Sequence, residues 1–198
     1  MGPSDNADTG FCLCAAHGGI EMGGGLLHAG ASLPIGSGGL TIEAKRRLTI
    51  APGDRALNLQ QRTYEAESDL SHGTGRLEGN SWAASATRNP AGHMAYGPYA
   101  TDWGNGSGQA IFVMLIDDNV RDDEPVANLD IYDADTQEIL VSREIRRQDF
   151  KKPNAYQNFA LNFALTNRAG HRMETRAFHR GRAHLQVDKV TVKLASYL

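Results

Sequence analysis

Cysteine is nearly missing from this chain: there are two in 198 residues, Cys12 and Cys14. A Cys-x-Cys pair is too close to form an ordinary unstrained internal disulfide. With no second pair downstream, a zinc site would have to borrow His17 or His28, which fits no usual spacing. Charge of one sign is missing too. Lys and Arg number 20 against 23 Asp and Glu, a net −3 with a pI near 6.1, so there is no basic field to attract nucleic acid or an anionic membrane. No apolar run is long enough to span a bilayer as a helix, and no basic start followed by an apolar stretch marks a secretory signal. The Gly-Lys-Ser/Thr of a phosphate-binding loop, a Gly-x-Ser-x-Gly elbow and a His-x-x-x-His pair are all absent, which removes the commonest signatures of nucleotide, hydrolase and zinc chemistry.

What is present is enough for a core. At 40% hydrophobic content, a chain of this length supports one domain and an appendage. Residues 1–40 are dominated by Gly, Ala and Ser, with Gly23-Gly24-Gly25 and Gly36-Ser37-Gly38-Gly39 and no sustained period; they read as a flexible arm. Over residues 41–198 apolar residues return in short alternating runs. Leu40, Ile42, Ala44, Leu48 and Ile50 suggest one or two strands before a turn at Pro52-Gly53. Residues 71–90 read as a loop region carrying Trp82. Ala110 to Ile116 is almost continuously apolar, as a central strand buried on both faces would be. Ala127, Leu129 and Ile131 alternate up to a polar turn, and Ile139, Val141 and Ile145 alternate back as a hairpin. Phe159, Leu161, Phe163 and Leu165 share a face, as do Met173, Thr175 and Ala177. No stretch has a helical period. The expectation is an all-β protein, an antiparallel β-sandwich of the jelly-roll type.

Two stretches suggest a metal. In an extended Tyr64-Glu65-Ala66-Glu67, the two glutamates point to one side, and their repulsion calls for solvent, arginine or a hard cation. Near the other end, the apolar positions Leu185 and Val187 change phase to Val190, Val192 and Leu194, which is how a β-bulge reads in sequence. The phase change leaves Asp188 on the apolar side, where a carboxylate needs a partner. This "YEAE" strand and the closing apolar-Asp-x-apolar-x-apolar strand resemble the first and last strands of carbohydrate-binding modules of families 6 and 35, galactose-binding-like β-sandwiches. The resemblance covers about residues 62–195. It implies a structural Ca²⁺ held by Glu65, Glu67 and Asp188, a glycan or polysaccharide partner, tethering to a catalytic domain, and an extracellular or periplasmic setting.

Sugars bind through CH groups on aromatic rings and hydroxyls on polar side chains. Trp103 with Asp102 and Asn105, Trp82, and Tyr99 are the candidates with that character. His179 and Arg182, in the penultimate loop, fall where the related modules place part of a loop-end sugar site. Those modules commonly carry an aromatic and an Asn there, so His and Arg hint at an acidic sugar. The expected function is therefore non-catalytic glycan binding at the loop end. Two alternatives stand beside it: a structural or oligomerising module of a larger enzyme, and a jelly-roll polysaccharide lyase using Tyr156, Arg172, Arg176 and His179 on a concave sheet face.

Overall fold

The computed structural model describes residues 57–197 without a break, and residues 14–16, 19–22 and 25–26 ahead of them. The chain divides into two units, residues 1–59 with 197–198, and residues 60–196. In the first, β1 (Cys14–Ala16), β2 (Gly19–Met22) and β3 (Gly25–Leu26) pair as a small antiparallel meander. The rest of the expected arm, and the alternating Leu40–Ile50 stretch, lie outside the described residues.

The second unit is an antiparallel β-sandwich. Its strands, with β4 entering from the first unit, are β4 (Leu57–Glu65), β5 (Arg76–Glu78), β6 (Ser81–Ser85), β7 (Gly92–Ala100), β8 (Gly106–Ile116), β9 (Pro125–Asp133), β10 (Glu138–Arg146), β11 (Gln157–Leu165), β12 (Met173–His179) and β13 (His184–Tyr197). Four form one sheet in the order β10-β9-β12-β7; the other runs β11-β8-β13-β6-β5, with β4 also on β13. The first part of β13, His184–Val187, takes β6 as a neighbour. Beyond it Thr63 Oγ1 on β4 meets Thr191 Oγ1 at 3.1 Å.

Period-two alternation explains the layers, because successive strand side chains point to opposite faces. Leu129 and Ile131 on β9 and Met173 and Ala177 on β12 turn inward. They meet Phe112, Met114 and Ile116 of β8, Phe159 and Leu161 of β11, and Leu185, Val187, Val190 and Val192 of β13, all buried. The bulge foreseen near Asp188 is there: the β13–β8 register slips between Val187 and Lys189. It keeps Val187 and Val190 both inside although they are three residues apart.

Three expectations need correction. Residues 71–90 are not all loop, since β5 and β6 form a short hairpin there. β8 is central, but only Ala110, Phe112, Met114 and Ile116 are buried; Ile111, Val113 and Leu115 are half-exposed on the outer face. Ile139 does not join Val141 and Ile145 inside. A register shift between Ile139 and Val141 turns it out, 52% exposed.

The tip of the β9–β10 hairpin is pinned by a buried carboxylate. Asp133 is fully buried. Its Oδ1 accepts the backbone N–H of Asp135 (2.9 Å) and of Thr136 (3.2 Å). Its Oδ2 lies 2.6 Å from Arg168 Nη1 and 2.6 Å from His171 Nδ1. Burial alone would push this carboxyl up, but the hydrogen bonds from His171, Thr136, Arg168 and Asp135 override it and hold it far below the usual carboxylate range. A depressed folded-state pKa contributes stability in full above the unfolded value of about 3.9 and loses it as pH falls below that toward the folded value. Asp133→Ala should therefore cost about 3 kcal/mol at neutral pH, and the gap between variant and parent should narrow in urea titrations as pH drops below about 4.

Candidate functional site

The seven expected ligand contacts do not converge. β12 runs antiparallel to β7, pairing Met173 with Ala100 and His179 with Gly92. The Trp103 loop follows the Ala100 end of β7, and the His179–Arg182 loop lies at the Gly92 end. Eight residue steps of strand, roughly 26 Å, separate them.

Trp103 is a core residue, 2% exposed, with its ring 5.6 Å from Phe163. A tryptophan between Asp102 and Gly104 looked exposed, but it folds inward against Phe163, whose ring in turn lies directly over Gly108, where a Cβ would collide with it. Asp102 pairs with Arg62 on β4, and Asn105 Oδ1 accepts the Arg168 backbone N–H at 2.7 Å. Both hold loops in place. Trp82 sits half-buried at the core's edge beneath a stacked His72, ring centroids 3.5 Å apart, and its Nε1 donates to Thr74 O at 2.8 Å. His179 is fully buried. Its Nε2 is 2.9 Å from Ala183 O, and its Nδ1 accepts from Gly181 N at 3.3 Å, so both ring nitrogens serve the loop. Tyr99, 42% exposed, and Arg182 remain accessible.

The lyase alternative also loses its constellation. His179 is inside, and Tyr156 hydrogen-bonds to Gln186 and Ser81 of the other sheet. Arg172 lies just before β12 and pairs with Asp135.

What the fold does assemble is the open face of the four-stranded sheet. Cross-strand register places His93, Phe178, Asn128 and Glu144 in one row; Tyr96, Arg176, Asp130 and Ser142 in the next; and Pro98, Glu174, Tyr132 and Ile139 in the third. A groove of about 560 Å³ lies along this face, lined among others by His93, Phe178, Asn128, Asp130, Ser142 and Arg176. Arg182 lines it as well, and also lines a second cavity of about 410 Å³ with Arg121, Asp122, Glu124 and Arg147 at the loop end.

The arginines on the face are paired. Arg176 Nε donates to Asp130 Oδ1 at 2.6 Å while its guanidinium lies 3.7 Å from the centre of the Tyr132 ring. Arg180 bonds Asn128 Oδ1 at 2.5 Å and Glu144 at 3.2 Å, and Arg182 pairs with Glu124. His93 packs edge-on to Phe178, centroids 5.2 Å apart; burial, then the nearby Arg176, lowers its pKa and favours the neutral ring. Fixed guanidinium–carboxylate pairs offer donors and acceptors side by side without a net field, which suits hydroxyls better than a carboxylate sugar. Sequence reading reached this face only through Arg176 in the lyase alternative and missed the rest, because its residues come from four strands, and each alone is only the polar half of an alternating run.

At the metal site expected from sequence, β4 ends at Glu65, so Glu67 lies in the following turn and not on the same strand face. Ala66 N donates to Asp188 O at 2.8 Å, which brings the turn to the bulge. Lys189 Nζ sits 3.3 Å from Asp188 Oδ2, and Asp188 first, with Glu65 and Glu67 adding, raises the lysine pKa. Among the described residues no three His, Cys, Asp or Glu side chains enclose a cation position. Glu67 Oε2, however, is buried without a hydrogen-bond partner, so the donor set retains an unfilled hard-oxygen ligand of the kind calcium takes.

No family model and no curated protein matches this sequence. The fold is similar to solved structures that include carbohydrate-binding modules. One, from Cellvibrio mixtus lichenase 5A in complex with cellotriose, is 15% identical, with 66% of this chain and 95% of that one covered and a TM-score of 0.41. The C-terminal CBM6 of LamC from Zobellia galactanivorans is 6% identical, with 67% and 98% covered and a TM-score of 0.41. A cyclase from Fischerella sp. TAU is 13% identical, with 73% and 79% covered and a TM-score of 0.44.

Trp103→Ala should cost about 3–5 kcal/mol in urea denaturation, as removal of a buried aromatic does, whereas Tyr99→Ala should change stability by less than about 1 kcal/mol. Equal, small effects for both would return Trp103 to the surface.

Proposed function

We propose that this protein is a non-catalytic carbohydrate-binding module that takes a glycan along the open face of the four-stranded sheet. The observation that carries the reading is the groove itself. Aromatic surface from His93 and Phe178 stands beside Asn128, Asp130, Ser142 and Arg176, all fixed by strands. Rigid elements hold such groups more accurately than loops do. Sugar CH groups would lie on the rings, and hydroxyls would bridge the Arg176–Asp130 pair. The pairing of every arginine on the face with a carboxylate or amide favours a neutral chain over the acidic one suggested by His179 and Arg182.

Isothermal titration against soluble neutral and acidic polysaccharides tests this. Phe178→Ala should weaken binding at least tenfold while leaving the urea midpoint nearly unchanged. No binding to any polysaccharide, or binding that survives Phe178→Ala intact, would remove the groove from the reading and favour a purely structural module.

We also propose that Ca²⁺ binds where β4 meets the β13 bulge, with Glu65, Glu67 and Asp188 as ligands. The ion would supply the partner that Glu67 Oε2 lacks and bridge the first and last strands of the sandwich. A ligand that binds only the folded state raises the unfolding midpoint. Excess Ca²⁺ should therefore raise Tm relative to chelator, and Glu67→Gln should abolish the difference. An unchanged Tm in the parent protein would leave Lys189 as the sole counter-charge.

A further inference from the structure

One charged group on the open face has no partner among the described residues. Glu174 lies on β12 between Tyr132 of β9 and Pro98 of β7 and is only 4% exposed. No hydrogen bond or ion pair to it exists among the described residues, although Arg176 and Arg172, on either side along the chain, are both committed elsewhere, to Asp130 and Asp135. Burial first raises its pKa; Arg176 and Arg172 lower it in part and Asp130 adds to the rise. Its oxygens are not fully sealed, so the carboxylate is poorly solvated yet reachable from the face, and an ionised group held this way is costly unless something pairs with it.

A second observation points to a ligand at the same place. The β7–β12 register skips Tyr99, pairing Met173 with Ala100 and Glu174 with Pro98, so Tyr99 is a bulge residue. Its φ of +66° is a conformation that bulky side chains rarely adopt, and bulges re-aim side chains near binding sites. The result is a tyrosine 42% exposed, with its hydroxyl raised by burial and then by the charge of Glu174. An accessible aromatic beside an unpaired buried carboxylate is the chemistry that recognises an organic ammonium group, through ring quadrupole and opposite charge together. With Glu174 ionised, the local sum is two arginines against Asp130, Asp135 and Glu174, one negative charge over.

We infer that Glu174 and Tyr99 form a subsite for a protonated amine on the glycan, so that the preferred ligand is an amino sugar with a free amino group. This rests on the glycan-binding reading of the face. The subsite is one row along β12 from Arg176, about 7 Å away, close enough for a neighbouring residue of the same chain to fill it.

Titration with a glucosamine hexamer, its fully N-acetylated counterpart and a glucose hexamer of the same linkage at pH 6 separates the two readings. The free amine should bind at least tenfold more tightly than either neutral chain. Glu174→Gln should abolish that preference while keeping the weaker binding of the neutral chains. The preference should also fade at acid pH, as Glu174 takes up a proton in the unliganded protein. Arg172, Arg176, Asp130 and Asp135 face the same region, but their pairings are retained in Glu174→Gln. Equal affinity for the three hexamers overturns the amine subsite and leaves the groove standing; binding of none of them overturns the groove as well. A preference that survives Glu174→Gln assigns the amine to another carboxylate and overturns this assignment.

Discussion

Everything in the second unit depends on the closure of two sheets over one dry layer. The strands that line it, β8, β9, β11, β12 and β13, each surrender one face to that layer. Burying Phe112, Met114, Leu129, Ile131, Met173 and Val190 is what fixes register, because a slip of one residue would turn an entire apolar face to water. Fixed register in turn sets the positions of the outward side chains. The grid of His93, Phe178, Arg176, Asp130 and Glu174 on the open face is therefore positioned by residues that never touch it.

That dependence explains which parts were legible in the sequence. Alternation made β9, β10, β11 and β12 readable, and the phase change around Asp188 revealed the bulge because a bulge is by nature a break in period. The same logic failed at Ile139, where a slip between strands rather than within the apolar pattern moved the residue outside. It failed at Trp103, since composition of the flanking Asp and Gly says nothing about a phenylalanine partner 60 residues away in the chain. The placement of His179 inside follows from the parity of Met173, Thr175 and Ala177, which was visible, but a histidine in a glycine- and arginine-rich loop invites a functional reading first.

The proposed binding face was the least legible element. A binding surface built across strands has no linear motif. Glu174 illustrates the difficulty: in sequence it is one of 23 acidic residues, and only the pairing of Arg172 with Asp135 and of Arg176 with Asp130 singles it out. The inferred subsite is distinguished by a missing partner among the described residues, and that is defined only after every other charge has been assigned.

The sandwich has open edges, and they are not equally guarded. β5 is three residues long and carries the Arg76–Glu78 pair. β7 is interrupted by Pro98 and the Tyr99 bulge, and β10 is kinked by its own register shifts and carries Arg143, Glu144 and Arg146. Shortness, proline, bulges and charge are the usual devices against edge-to-edge pairing. β11 has none of its own: it runs nine residues in unbroken register with β8, with Asn158, Ala160, Asn162 and Ala164 as its exposed side chains, and among the described residues only Arg143 of β10, donating to Ala160 O at 3.3 Å, sits on its backbone. A strand from another chain would have to displace only that one guanidinium to reach the backbone of β11, so this is the edge along which crowded copies would first add strand to strand.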